Sequence, residues 1–125
     1  MKRVLIVDDA VTIRRYHRAH VESAGYEVEE ALNGVDAMER VMAHHFDLVL
    51  VDINMPIMDG YRFLEQLRSH PDLCHLPAIM ISTESKSSRK AQTLTAGANL
   101  YLEKPVQPET LKRCLHLMTS ARADS

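Results

Sequence analysis

The sequence predicts an α/β domain built on a doubly wound, five-stranded parallel sheet in the order 2-1-3-4-5, with helices layered on both faces. Three observations carry this. Val4–Val7, Leu48–Val51 and Ala78–Ile81 are continuous apolar runs of strand length, as expected of strands buried on both faces. The segments between them switch to the period of amphipathic helices. Strand and helix then alternate five times with no repeat, linker or low-complexity segment, a pattern that calls for right-handed crossovers within one sheet.

The first strand, Val4–Val7, ends in Asp8-Asp9. Ala10, Ile13, His17, Val21 and Ala24 then form one helical stripe, with Arg14, Arg15, Arg18 and Glu22 pointing elsewhere, and Gly25 closes the helix. His17 and His20, on or beside that stripe, read as packed rings rather than a metal pair. Tyr26–Ala31 alternates Tyr and Val with Glu, a strand with one wet face near an edge. Asn33-Gly34 is a turn, and the second helix runs from Val35 to about His44, with Ala37, Met38, Val41 and Met42 supplying apolar surface. The third strand, Leu48–Val51, holds two branched valines. Asp52 ends it and Pro56 forbids its continuation. From the Asp59-Gly60 turn a third helix starts, with Phe63, Leu64 and Leu67 inward, until Ser69-His70-Pro71-Asp72 breaks it.

Pro77 leads into the fourth strand, Ala78–Ile81, which runs out into Ser82-Thr83-Glu84. A helix over 85–96 is poor in large apolar residues and rich in Lys86, Ser87, Ser88, Arg89 and Lys90. Few contacts hold such a helix, which makes it a candidate moving element. Gly97 closes it, and the fifth strand, Asn99–Glu103, ends at Lys104-Pro105. The last helix begins near Gln107-Pro108-Glu109, where proline suits a first turn, and turns Leu111, Cys114, Leu115 and Met118 inward. Residues 1–120 read as one domain and 121–125 as a frayed tail.

Composition narrows the function classes. The 125 residues are 46% hydrophobic and 26% charged, with a net charge of −2. That balance argues against a bulk electrostatic binder of nucleic acid or membrane surfaces. No apolar run approaches the ~20 residues of a membrane helix, and the start lacks the apolar region and cleavage site of a signal peptide. Cys74 and Cys114 read as free thiols of a reducing cytosol, with no zinc pattern around them.

Chemistry gathers at the strand ends. Asp8 and Asp9 follow the first strand, Asp52 the third, Ser82 the fourth and Lys104 the fifth. In a parallel sheet of the expected order these lie on one edge, with the first and third strands neighbours at the switch point. Each has an ordinary alternative: a helix cap for Asp9, a turn for Ser82, a surface charge for Lys104. Four strands all ending in polar groups by accident is the harder case. Clustered carboxylates repel by about 4 kcal/mol per pair at 4 Å and an effective dielectric of ~20. Relief comes from Lys104 and, for an all-oxygen donor set, from Mg²⁺ or Mn²⁺. Such a metal leaves room for a phosphate oxygen, and a carboxylate such as Asp52 can itself be the phosphoryl acceptor.

With Asp8-Asp9, Asp52 followed by Asn54-Met55-Pro56, Asp59-Gly60, Ser82 and Lys104-Pro105 in place, the chain resembles the receiver domains of two-component response regulators, particularly the chemotaxis-type single-domain receivers. The resemblance spans Val4 to the end of the last helix and implies a flavodoxin-like three-layer sandwich. It implies that Asp52 accepts a phosphoryl group from the phosphohistidine of a sensor histidine kinase or histidine phosphotransfer protein. Mg²⁺ would be bound by Asp9, Asp52 and the backbone carbonyl of Asn54, with Asp8 acting through a water. Lys104 would pair with Asp52 and then the phosphate, Ser82 would hydrogen-bond the phosphate, and Tyr101 would be the switching aromatic. Asn54, Thr83 and Glu84 would tune water access to the acyl phosphate. A downstream effector would read the face made by the helix over 85–96, the fifth strand and the last helix. The kinase would dock near Ile13, Arg14 and Arg15. The Lys104–Pro105 bond is expected to be cis. Thr83, where a small residue is common, and Val106, where an aromatic is common, depart from the family pattern.

The resemblance further implies a cytoplasmic, stand-alone signalling protein that assists its own phosphotransfer and dephosphorylation without being an enzyme. A receiver fragment of a longer regulator and a non-phosphorylated interaction module are the alternatives. A haloacid-dehalogenase-like phosphatase would need an Asp-x-Asp motif, and Asn54 occupies its second acidic position. A flavodoxin-like flavin carrier would place its phosphate against Asp8 and Asp9, which would repel it.

Overall fold

The computed structural model describes residues 1–83, 95–104 and 106–123. Five parallel strands, β1 (Arg3–Val7), β2 (Glu27–Ala31), β3 (Leu48–Asp52), β4 (Ala78–Ser82) and β5 (Leu100–Glu103), form one sheet in the order β2-β1-β3-β4-β5. The helices α1 (Val11–Ser23), α2 (Gly34–Ala43) and α3 (Gly60–Ser69), with the C-terminal helix (Pro108–Ala123), cross over between or after the strands. The fold class and the strand order are those read from the sequence. The helix expected over 85–96 lies outside the described residues, apart from its last two positions.

The strands sort their side chains by the period of two. Leu5 and Val7, with Val49, Val51 and Met80, face α2 and α3, where Ala37, Val41, Phe63, Leu64 and Leu67 complete one core. Val4 and Ile6, with Leu48, Leu50, Ile79 and Ile81, face α1 and the C-terminal helix, where Val21, Leu111 and Leu115 complete the other. β3 and β4 are buried at all five positions each, as strands covered on both faces should be. β2 is one of the two edge strands, and its glutamates pair with arginines from neighbouring elements, Glu29 with Arg3 and Arg40 and Glu30 with Arg14 and Arg18.

Side-chain caps set two helix starts. Asn33 Oδ1 accepts the Asp36 N–H at 2.9 Å, and Asp36 returns a carboxylate oxygen to the Leu32 N–H at 3.1 Å. The Asn33-Gly34 turn is thus the cap of α2. Asp59 Oδ1 accepts the Arg62 N–H at 2.9 Å and caps α3. Arg68, near the end of α3, donates to the carbonyls of Cys74, Leu76 and Gly97 and to Asn99 Oδ1. It ties the α3–β4 connection to the turn that enters β5. Gly97 takes a φ of 111°, and a Cβ there would lie 2.7 Å from Arg68 Cγ. Glycine meets both demands.

Two expectations for α1 need correction. Ala10, placed on the inward stripe, is exposed, whereas Arg14, expected to point away and to help dock a kinase, is buried. Arg14 is drawn in because Glu30 and a buried carbonyl offer its guanidinium partners. Met42, assigned to the apolar face of α2, is 64% exposed.

Candidate functional site

Parallel pairing brings the carboxyl ends of β1, β3, β4 and β5 to one edge. Val7 is in register with Val51, Asp52 with Ile81, and Ser82 with Glu103. Each chemistry-bearing residue is the last of its strand or the next one or two along. The switch point falls between β1 and β3, where Asp8, Asp9 and Asp52 meet. One carboxylate oxygen from each of these three lies within 4.8 Å of the others.

Lys104 closes the site from β5. Its Nζ donates to Asp8 Oδ2 at 2.9 Å and to Asp52 Oδ1 at 3.2 Å. The sequence reading paired it with Asp52; the structure shares it between two acids, with Asp8 the nearer. Its own N–H donates to the Ser82 carbonyl at 2.7 Å, so its backbone is locked to the end of β4. Burial works against the Lys104 charge, but the hydrogen bond to Asp8 and the charge of Asp52 outweigh it and hold the ammonium above its ordinary range. Asp52 is pushed the other way. Burial first, then the negative charge of Asp8, raise its carboxyl from 3.8 to about 6 despite Lys104.

Asp8 is buried and all its polar groups are engaged. Its N–H donates to the Ala31 carbonyl, Oδ1 accepts the Ala10 N–H, Oδ2 accepts Lys104, and its carbonyl accepts Arg14 Nη1 at 2.8 Å. Asp9 is exposed, and Ala10 rather than Asp9 takes the N-cap position of α1. Ser82 is fully buried at the end of β4. Tyr101 is buried in the core on the α2 and α3 side of the sheet and is in register with Met80. Asn54 and Thr83 lie exposed on the loops after β3 and β4. Glu84 and Pro105, and with Pro105 the cis expectation, lie outside the described residues.

Two residues given no part in the site by the sequence lie close to it. Gly60 begins α3 against the end of β3, and a Cβ on it would sit 2.5 Å from the Asp52 carbonyl oxygen. The signal was a glycine just after a helix-capping aspartate, which was read only as a turn. His17 is buried and lines a cavity of about 360 Å³ with Thr12, Ile13, Tyr16, Thr83 and Lys104. Burial, with the Lys104 charge adding to it, lowers His17 to about 4, so this ring is neutral. It packs edge-on against Tyr16, in keeping with the packed-ring reading.

The acids and Lys104 meet at one edge of the sheet, with Ser82 buried at the end of the neighbouring β4. A family model described as the response regulator receiver domain matches residues 4–116. The chain belongs to the response regulator receiver family. Among its relatives, the chemotaxis protein CheY-3 of Vibrio cholerae is 37% identical over 114 residues, which cover 90% of this chain and 88% of that protein. The gliding motility regulatory protein of Myxococcus xanthus is 38% identical over 102 residues, 82% of this chain but 13% of that much longer protein. The solved structure of V. cholerae CheY4 superposes with a TM-score of 0.88 at 36% identity, covering 94% of this chain and 98% of that one.

This receiver is therefore a two-component phosphoacceptor domain, a signalling domain rather than a classical enzyme. Its all-oxygen acid cluster suits a hard divalent cation such as Mg²⁺: three carboxylates against one lysine leave negative charge for a cation to offset. Among the described residues no helix is long and apolar enough to cross a membrane.

Proposed function

We propose that Asp52 is the phosphoacceptor of this receiver. The observation that carries the reading is Lys104 Nζ seated between Asp8 and Asp52, at 2.9 and 3.2 Å, beside three mutually close carboxylates. Asp9 and Asp52, the Asn54 carbonyl, and Asp8 through a water would hold Mg²⁺, or Mn²⁺ in its place. Bound there, the metal supplies positive charge to the phosphoryl oxygens. An Asp52 carboxylate oxygen forms the new bond to phosphorus as the bond from phosphorus to the donor's imidazole nitrogen breaks, and the imidazole leaves with the electron pair. Lys104 shifts from Asp52 to a phosphoryl oxygen, and the Ser82 hydroxyl donates to another. Tyr101 then takes up space that the Ser82 loop vacates.

The phosphodonor partner is a sensor histidine kinase or histidine phosphotransfer protein, and Ile13 and Arg15 are left as its contacts on α1. Asn54, Thr83 and Glu84 set how fast water reaches the acyl phosphate, so the domain governs its own dephosphorylation. An effector protein reads β5, the C-terminal helix and the 85–96 segment, and the setting is the cytoplasm. The chain acts alone, as its cover of CheY-3 suggests, or as the receiver segment of a longer regulator, as its 13% share of the M. xanthus protein suggests.

The test is incubation with a small-molecule phosphodonor and Mg²⁺, read by intact mass. Wild type is expected to gain one phosphoryl group and Asp52→Ala none. A wild type that stays unmodified under conditions that phosphorylate a known receiver would leave a non-phosphorylated interaction module.

A further inference from the structure

We propose that Arg14 is a positioning residue for the acid pair: by gripping the Asp8 carbonyl it fixes the Asp8–Asp9 peptide and so aims Asp9 at the cation site. The inference rests on the reading of Asp8, Asp9 and Asp52 as that site.

The peptide unit is planar, so the carbonyl of Asp8 and the N–H of Asp9 move as one body. Arg14 Nη1 donates to that carbonyl at 2.8 Å in a buried setting. The same guanidinium donates from Nε to Glu30 Oε1 at 2.8 Å. Glu30 is fixed in turn, because Arg18 Nη1 donates to its other oxygen at 2.7 Å and its backbone belongs to β2, paired with Ile6. A chain of bonds thus runs from the edge strand through one planar fork to the turn that carries the acids.

Asp8 and Asp9 depend on this fork unequally. Asp8 has three further anchors, its N–H on Ala31, Oδ1 on Ala10 and Oδ2 on Lys104. The Asp9 carboxylate is exposed and makes no hydrogen bond or ion pair among the described residues. Its direction is inherited from the peptide that precedes it. Loss of Arg14 therefore leaves Asp8 held and Asp9 loosely aimed. Lysine is a poor substitute, since one Nζ would have to reach both the Glu30 carboxylate and the Asp8 carbonyl, which Arg14 meets from two separate nitrogens, Nε and Nη1, of a planar fork.

Arg18 provides the control. It binds the same glutamate from a more exposed position, at 40% side-chain exposure against 10% for Arg14, and does not touch the Asp8 carbonyl. Mg²⁺ is titrated into wild type, Arg14→Lys, Arg14→Met and Arg18→Ala, followed by backbone-amide NMR at residues 8, 9 and 52. Thermal unfolding in EDTA is recorded separately, along with the Mg²⁺ dependence of phosphorylation by a small donor. Arg14→Met and Arg14→Lys are expected to weaken Mg²⁺ binding about tenfold or more, as loss of a ligand's outer support does. In both, the Mg²⁺ concentration for half-maximal phosphorylation rises while the plateau rate holds. Arg18→Ala is expected to lose thermal stability but far less Mg²⁺ affinity than Arg14→Lys, because Glu30 stays anchored through β2.

If Arg14→Met does not fold, Arg14→Lys and Arg18→Ala decide the matter. Arg14→Lys with wild-type Mg²⁺ affinity would overturn the proposal, as would Arg18→Ala losing affinity as far as Arg14→Lys does. A wild type with no saturable Mg²⁺ response at the acids would sink the functional reading itself, a result distinct from either.

Discussion

Replacing Asp52 with asparagine should make the metal-free protein more stable. Asp52 has a side-chain exposure of 8% and sits beside Asp8, with one shared lysine to offset them among the described residues. Its carboxyl rises from 3.8 to about 6, through burial first and the Asp8 charge second. A group whose folded value exceeds its unfolded value binds more protons when folded, so stability falls as pH climbs through the interval between the two. Ionised Asp52 therefore costs about 3 kcal/mol at neutral pH and above, at about 1.4 kcal/mol per tenfold change in acidity. Asparagine keeps the shape and removes the charge. In EDTA at pH 7.5, Asp52→Asn should raise the urea midpoint by an amount worth about 2–3 kcal/mol, after allowance for the weaker bond left to Lys104. The gain should shrink toward pH 4, where wild-type Asp52 is itself protonated. It should also shrink in saturating Mg²⁺, which binds the folded wild type and stabilises it by mass action. Equal or lower stability of Asp52→Asn in EDTA at pH 7.5 would refute the account, because Lys104 would then more than offset the burial of the acid.

Two further outcomes follow from backbone geometry near the same strand end. Gly60→Ala would place a methyl 2.5 Å from the Asp52 carbonyl and 2.6 Å from Met80 Cε. The methionine can move but the β3 peptide cannot, so a loss of about 1–3 kcal/mol in urea unfolding is expected, with slower phosphoryl uptake because the displaced peptide is that of Asp52. Unchanged values for both would rule out the close approach. Ile57 is 81% exposed with a φ of 70°, at the centre of a turn in which the Met58 N–H donates to the Pro56 carbonyl at 2.7 Å. A β-branched residue is strained in that conformation, and asparagine tolerates it, so Ile57→Asn should add about 1 kcal/mol and raise Tm by a few degrees. A lower Tm would mean that the exposed isoleucine makes contacts worth more than its strain.

The sheet was legible because burial on two faces leaves a plain mark. Leu48–Val51 and Ala78–Ile81 favoured strands covered on both faces, strand-to-helix alternation pointed to a parallel sheet, and five strands suited the 2-1-3-4-5 order of the two common ones. The acids, Ser82 and Lys104 were legible because parallel strands deliver all their carboxyl ends to one edge. Arg14 was misplaced for a definite reason. Hydrophobic periodicity sorts residues by side-chain polarity, and a buried arginine with two partners carries no signature in that pattern. The Arg14–Glu30 pair joins residues 16 apart on different elements, so neither half announces the other. The split of Lys104 between Asp8 and Asp52 was hidden in the same way, since both distances depend on side-chain directions that spacing does not fix. Gly60 read as a turn because a close backbone approach is a property of what lies opposite.

The charge balance at the site bears on how it can report its own state. The resting cluster sets three carboxylates against one ammonium, and burial makes that imbalance costly. A phosphoryl group on Asp52 would alter that imbalance directly at Lys104, since this side chain touches two of the acids. Lys104 cannot relax in isolation, because its N–H is bound to the Ser82 carbonyl and it directly follows β5, which carries Tyr101 three residues earlier. A ligand shifts a conformational equilibrium only by the difference in its free energy between the two states. In the proposed reading that difference is supplied where one lysine exchanges a carboxylate for a phosphoryl oxygen, and the ends of β4 and β5 feel it together because a single backbone bond couples them. In the same reading, a metal held by Asp9 and Asp52 would relieve the repulsion while leaving Lys104 its bond to Asp8, so stabilisation by metal and switching by phosphate would be separable effects of one cluster.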